Sequence, residues 1–332
     1  MVIESYLYEK LNGEVRCKTC WHNCKLKDGQ WGICRVRRNE KGKLMVYNYG
    51  LASSIALDPI EKKPLHNYKP RTKVLSFGSV SCNFKCDHCQ NFEISFADLS
   101  YPYLTELSPE DVLRLCKERK ADGIAWTYNE PGIWHEFALD ASKIAKREGY
   151  FIVYVTNGYM SFEALDQFDV LDAANVDVKA FSQRFYSKIC KAKLENVLKT
   201  VEYMVKKGVF VEITYLIIPG ENDEKNEIKE FCNWIVSVDK RIPVHFSRFH
   251  PDFKMLDKPM TPLKKIEEAI EIAKSSGIEY VYAGNVWGHK YENTYCPNCG
   301  ELLIERYGFY VKRINLKNSK CPSCGYKQNL VL

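Results

Sequence analysis

The sequence predicts an α/β fold: an incomplete barrel of the (β/α)6 type, preceded by a cysteine-rich segment and followed by a short cysteine-paired tail. Three observations lead there. Strand-like and helix-like segments alternate between residues 72 and 285, polar residues gather just after the strand ends, and eleven of the fourteen cysteines fall into three clusters. Repeated β-α units imply a parallel sheet with right-handed crossovers. A chain of 332 residues is long enough for one such domain with small appendages.

The first strand is read at "KVLSFGSV" (73–80). "SPEDVLRLCKERK" (108–120) is a helix, with Ser108 as its cap, Pro109 in its first turn and Val112, Leu115 and Cys116 on one face. The alternation continues through a strand at 123–128, a helix at 133–149, a strand at 151–155, a short helix and a strand at 175–180. It closes with a helix at 194–208, strand 209–218, helix 226–238, strand 243–249, helix 262–277 and strand 278–284. Cys82, Asn129 and Glu130, Thr156 and Asn157, Asp177 and Lys179, Pro219 and Gly220, and His245 and His250 lie at or just after successive strand ends. In β/α barrels that rim carries the active site. The expected divisions are an N-terminal cysteine-rich segment (1–70), the barrel core (71–289) and a C-terminal module (290–332).

Composition is that of a globular protein, 45% hydrophobic and 27% charged. No apolar run approaches the ~18 residues that span a membrane, and "MVIESYLYEKLNGEVRC" has no signal-peptide apolar core, so a cytoplasmic location is expected. In a reducing compartment clustered cysteines read as metal ligands rather than disulfides; the scattered Cys116, Cys190 and Cys232 read as small buried apolar residues. The net charge of +6 is concentrated at the ends: residues 1–50 carry 10 Lys/Arg against 5 Asp/Glu, and residues 286–332 carry 7 against 3. A four-thiolate metal site carries about −2 of its own, so this excess offsets the outer cysteine sets and argues against nucleic acid as a partner.

Within "SVSCNFKCDHCQNF", Cys82, Cys86 and Cys89 stand in a C-x3-C-x2-C pattern. A four-iron cluster takes one thiolate per iron, so three cysteines on one loop leave one iron open to a ligand. The competing reading is zinc completed by His88, but zinc usually draws on two separated pairs. The pattern at the end of the first strand resembles the radical S-adenosylmethionine (SAM) superfamily. That resemblance implies a [4Fe-4S] cluster that chelates SAM and cleaves it reductively to a 5′-deoxyadenosyl radical, with a ferredoxin or flavodoxin as electron donor. It places Asn129 and Glu130 of "TYNEPGIWHE" at the SAM ammonium, and His88, in the position usually held by an aromatic residue, against adenine. "TNGY" and "NVDVKAF" resemble the pyruvate formate-lyase activating enzyme branch, which implies SAM contacts for Asn157 and His245. The same branch sets Asp177 and Lys179 near the SAM carboxylate or the substrate.

The whole chain resembles the radical SAM member of the AMMECR–Memo–radical SAM set, on "LDPIEKKPLHNY", "WTYNEPGIWHEF", "YLIIPGEND", "HFSRFHPDFKM" and "YAGNV". This implies Memo-like and AMMECR-like partners and leaves the substrate open, a partner protein activated to a glycyl radical being one case. "QNFEISFADLSYPYLTE" lacks the ferredoxin-like insert that activases often carry there.

"CPNCG" and "CPSCG", 21 residues apart, predict a zinc ribbon through Cys296, Cys299, Cys321 and Cys324. Such a closed site is structural. Cys17, Cys20, Cys24 and Cys34 match neither a standard zinc finger nor a ferredoxin run, so zinc and a second iron–sulfur cluster both stay open; His22 could replace one ligand, a solvent-facing histidine being the commoner case. The rival from another class is a non-catalytic metal-binding adaptor that uses the ribbon to contact RNA or protein; it explains the cysteine pairs but not the rim.

Overall fold

A computed structural model describes residues 1–332. Eight strands form one sheet whose spatial order is the chain order: β1 (Ser54–Pro59), β2 (Lys73–Gly78), β3 (Gly123–Trp126), β4 (Phe151–Thr156), β5 (Ala173–Asp177), β6 (Phe210–Ile217), β7 (Val244–Arg248) and β8 (Val281–Gly284). β2 to β8 run parallel, while β1 adds to β2 antiparallel. The six crossovers carry α1 (Pro109–Glu118), α2 (His135–Arg147), α3 (Phe162–Gln167), α4 (Leu194–Lys206), α5 (Lys225–Asp239) and α6 (Leu263–Ser275). No pairing joins β1 to β8, so the barrel stays open.

Local sequence explains these elements. All four residues of β3 are buried, as expected of a parallel strand covered on both faces. Gly123 has no alternative: a Cβ there would stand 2.4 Å from the Phe151 ring of the neighbouring strand. In α6, Ile266, Ala269, Ile270 and Ala273 are buried, the stripe that a 3.6-residue period aims at the sheet. Ser108 and Asp111 form a reciprocal capping box at the start of α1.

Two three-stranded antiparallel sheets make the N-terminal segment: Ile3–Glu4, Lys43–Val46 and Arg37–Glu40, and Tyr8–Leu11, Glu14–Cys17 and Lys25–Lys27. Arg37 ties the segment to α2 through a buried bidentate pair with Glu136, at 2.7 and 2.6 Å. The tail forms a third small sheet, Thr294–Tyr295, Leu302–Tyr307 and Tyr310–Ile314. Its buried Arg306 donates to the His66 carbonyl (2.7 Å) and the Thr294 hydroxyl (2.8 Å).

Three expectations change. A boundary near residue 70 does not coincide with the edge of the sheet, because β1 and the 60–68 loop belong to the barrel: His66 and Asn67 donate their backbone N–H groups to Glu212 inside it. β1 went unseen because its partly exposed pattern has no clean alternation. The strand read at 175–180 ends at Asp177, so Lys179 stands beyond it, where the Lys179 N–H donates to the Tyr186 hydroxyl.

Candidate functional site

The loops after the strands enclose a cavity of about 550 Å³. Cys82, Cys86, Cys89, His88, Asn129, Glu130, Asn157, Asp177, Lys179 and His245 all line it. Of the remaining rim residues, Thr156 lines it too, whereas Pro219, Gly220 and His250 do not; His250 is exposed and meets Gln90 instead.

The loop that carries the cysteines is held from two sides. Asn129 accepts from the Ser79 N–H (3.1 Å) and donates to the Ser81 carbonyl (2.8 Å), clamping the turn ahead of Cys82. Asn157, at the end of β4, donates to Asn83 Oδ1 at 2.8 Å and reaches Cys82 Sγ at 3.8 Å. Ser81 and Tyr128 adopt left-handed backbone angles, φ +68° and +71°. Each such residue costs on the order of 1–3 kcal/mol and is held only by its surroundings. Tyr128 is fastened through its hydroxyl to Asp58, which also pairs with Lys63.

Glu130 is buried, and its carboxylate already accepts from the Gly132 N–H, the Thr156 hydroxyl and the Asn157 N–H, each at 2.8 Å. Burial raises its pKa to about 7 although these three bonds favour the charged form. A carboxylate has about four acceptor sites, so Glu130 frames the cavity wall and has little capacity left for a ligand. Asp177 and Lys179 pair with each other at 2.6 Å. Burial opposes the Lys179 charge, but Asp177 and the Cys86 thiol outweigh it and hold the pKa above the ordinary lysine value. His245 bonds Glu212 at 2.7 Å and stacks on Tyr282, forming part of the inner wall. Burial, then the Lys179 charge, lowers the pKa of His88 to about 3, so its ring is neutral and suited to lie against an aromatic ligand.

Sequence reasoning missed several neighbours. Cys190, read as plain core, is fully buried and stands close enough to the Cys86 thiol to push its pKa up. His22, read as solvent-facing, is half-buried and sits 2.8 Å from the Asn83 carbonyl. The tail contributes to the cavity as well: Glu292, Gly308 and Phe309 line it beside Trp287. No local signal marks any of these, since each depends on a contact across the fold.

The residues present suit a polar metallocofactor with an adenosyl ligand. Three thiols face one space, and the lining holds buried polar atoms without partners, namely His88 Nδ1, His66 Nδ1 and Glu61 Oε2. The profile of the radical SAM superfamily matches residues 78–235. An uncharacterized protein of Methanocaldococcus jannaschii is 45% identical over 334 residues, covering 99% of each chain. The chain belongs to the radical SAM superfamily. Among its more distant relatives, the pyruvate formate-lyase-activating enzyme of Clostridium pasteurianum is 24% identical over 196 residues, 53% of this chain and 79% of that one. A radical SAM methyltransferase from Sphaerobacter thermophilus has the same fold, with a TM-score of 0.52 at 15% identity over 70% of this chain and 71% of the other. This radical SAM chain is therefore an enzyme, and its family implies a [4Fe-4S] cluster and SAM. No helix is long and apolar enough to cross a membrane.

Proposed function

We propose that Cys82, Cys86 and Cys89 hold a four-iron cluster with one open iron, and that the chain reductively cleaves SAM to abstract hydrogen from a partner protein. The observation that carries this reading is the convergence of the three triad cysteines and the seven residues assigned to SAM or substrate on one cavity at the C-terminal ends of the strands. Held by Cys82, Cys86 and Cys89, such a cluster would supply one-electron reduction of the SAM sulfonium, whose carbon–sulfur cleavage would give methionine and a 5′-deoxyadenosyl radical.

The chain's own residues set the stage. Asn129 and Asn157 fix the cysteine loop, Glu130 shapes the wall between β3 and β4, and neutral His88 offers a flat face to adenine. The Asp177–Lys179 pair places a buried positive charge in the cavity, where Lys179 meets the SAM carboxylate or orients the substrate. The preference for a protein substrate rests on the activating-enzyme relatives and on the cavity rim. There Trp287, 66% exposed, stands beside Tyr307 and Phe309, an aromatic lip suited to a peptide segment. Memo-like and AMMECR-like proteins are the partners to try first. The four tail thiols hold zinc in this reading, since their sulfurs lie within 4.8 Å of one another.

Anaerobic reconstitution with SAM and a low-potential reductant tests the proposal. The expected product is 5′-deoxyadenosine, abolished in Cys86→Ala together with the triad's iron. Unchanged iron content and yield in that variant would sink it.

A further inference from the structure

The N-terminal segment meets the cysteine loop of the barrel at the peptide between Asn83 and Phe84. His22 Nε2 is hydrogen-bonded to the Asn83 carbonyl at 2.8 Å, and the N–H of the same peptide unit, that of Phe84, donates to Cys82 Sγ at 3.4 Å. A carbonyl oxygen only accepts, so it is Nε2 that carries the imidazole proton. His22, the peptide and Cys82 thus form two hydrogen bonds in series, both pointing donor to acceptor towards the sulfur.

The imidazole is held in that place from the other side. The Trp21 N–H donates to the Tyr159 carbonyl at 3.1 Å, the Ser161 N–H donates to the Thr19 carbonyl at 3.2 Å, and Cys20 bridges Met160 antiparallel. Residues 19–21 are therefore laced onto the turn that follows β4, and the Trp21 indole N–H adds a bond of 2.9 Å to Thr200 Oγ1 of α4. The His22 ring centre lies 4.9 Å from that of Tyr159, which in turn lies 5.0 Å from that of Phe84. His22 is thereby confined between an aromatic ring and the Asn83 carbonyl.

Hydrogen bonds in series polarise one another, each strengthening the next by about 10–30%. Hydrogen bonds to the ligand sulfurs are among the factors that set the potential of an iron–sulfur centre. Reduction adds negative charge, so a stronger donor to a ligand sulfur favours the reduced state. Asn157 Nδ2, at 3.8 Å, is a weaker second neighbour of the same sulfur, its closer bond being the one to Asn83 Oδ1 at 2.8 Å.

We propose that His22 is a positioning residue that tunes the triad centre: through the Asn83–Phe84 peptide it strengthens the N–H bond to Cys82 Sγ and makes one-electron reduction easier. This rests on the radical SAM reading of the triad. The electron comes from an external low-potential donor, which is oxidised as the triad centre is reduced; no proton moves and no bond is made or broken. The N-terminal segment then takes part in the barrel's chemistry independently of what its own cysteines bind.

A redox titration of the anaerobically reconstituted full chain tests this, following the paramagnetic signal that changes when SAM is added. His22→Leu removes the donor, and the equilibrium constant for reduction falls about threefold, a midpoint roughly 28 mV more negative at 59 mV per tenfold. His22→Gln, whose amide N–H can reach the same carbonyl, keeps the wild-type midpoint. Trp21→Phe gives up the bond to Thr200 but leaves His22 on Asn83, and it keeps the wild-type midpoint as well. An unmoved midpoint in His22→Leu overturns the proposal. Equal shifts in His22→Leu and Trp21→Phe assign the effect to loosened docking and overturn it too, as does a His22→Gln midpoint equal to that of His22→Leu. Nitrogen-15 NMR of the oxidised wild-type protein at about pH 8, where an ordinary imidazole is neutral, needs no variant. It is expected to show His22 protonated at Nε2, and the opposite tautomer overturns the proposal. A wild-type protein that takes up no iron at Cys82, Cys86 and Cys89 overturns the radical SAM reading and this inference with it. A SAM-responsive signal with an unmoved His22→Leu midpoint overturns this inference alone.

Discussion

Glu136 and Glu130 are both fully enclosed carboxylates, and their surroundings push them in opposite directions. Burial alone would raise Glu136, but Arg37 overrides it and holds the pKa at about 2, below the ordinary 4.5. Its stabilisation is therefore fully present above pH 4.5 and is lost as pH falls towards 2. Glu130 is raised from 4.5 to about 7, so its contribution is present below pH 4.5 and is lost as pH rises through 7. Breaking a buried pair costs about 3–5 kcal/mol. Glu136→Gln is accordingly expected to lower the unfolding midpoint by on the order of 10 °C and to remove the acid limb of its pH profile. Thermal melts from about pH 3 to pH 8 check both effects. Glu130→Gln faces an amide NH2 towards the Asn157 N–H or the Thr156 hydroxyl. Losing such a charged, buried hydrogen bond is worth about 2 kcal/mol or more, so SAM binding should weaken roughly 30-fold through the distorted wall. Anaerobic titration of the reduced cluster's paramagnetic signal reads this directly, and a wild-type-like titration would confine Glu130 to folding.

Among the elements, the helices were the most legible, because a 3.6-residue period repeats over three or more turns. The cap of α1 is a case where two local residues suffice: Ser108 accepts from the Asp111 N–H and Asp111 answers back to Ser108. Ser108→Ala should cost about 1 kcal/mol, seen as a small drop in denaturation midpoint with 5′-deoxyadenosine yield unchanged, since α1 does not line the cavity. The short N-terminal strands, two to four residues each, were not legible. A period of two cannot show itself in so few positions.

At the scale of the whole molecule, both appendages reach the barrel's working end. The tail is pinned by Arg306, which makes a bond of 2.7 Å to the His66 carbonyl in the barrel and places Phe309 at the cavity. Arg306→Ala removes a buried cation with several partners and should free residues 290–332 from the core. Limited proteolysis is expected to release this piece faster than from the wild type. Equal cleavage rates would show that the other contacts of the tail, such as Tyr68 with Val331, hold it without Arg306.

The succession of β2 to β8, the rim on which polar residues collect and the C-x3-C-x2-C loop of Cys82, Cys86 and Cys89 were legible in the sequence alone, because each is encoded over a few neighbouring residues. Periodicity makes a helix, the stop of a strand makes a rim position, and C-x3-C-x2-C is a local loop. Only the tertiary structure decided which polar atoms remain free. Glu130 looks like a ligand in one dimension and is filled by Gly132, Thr156 and Asn157 in three. His22 looks exposed and is bonded to the cluster loop 61 residues away, and Cys190 looks like plain core and lies against Cys86. Hydrogen-bond capacity is used up by whichever groups the fold brings within about 3 Å, and no local pattern records those distances.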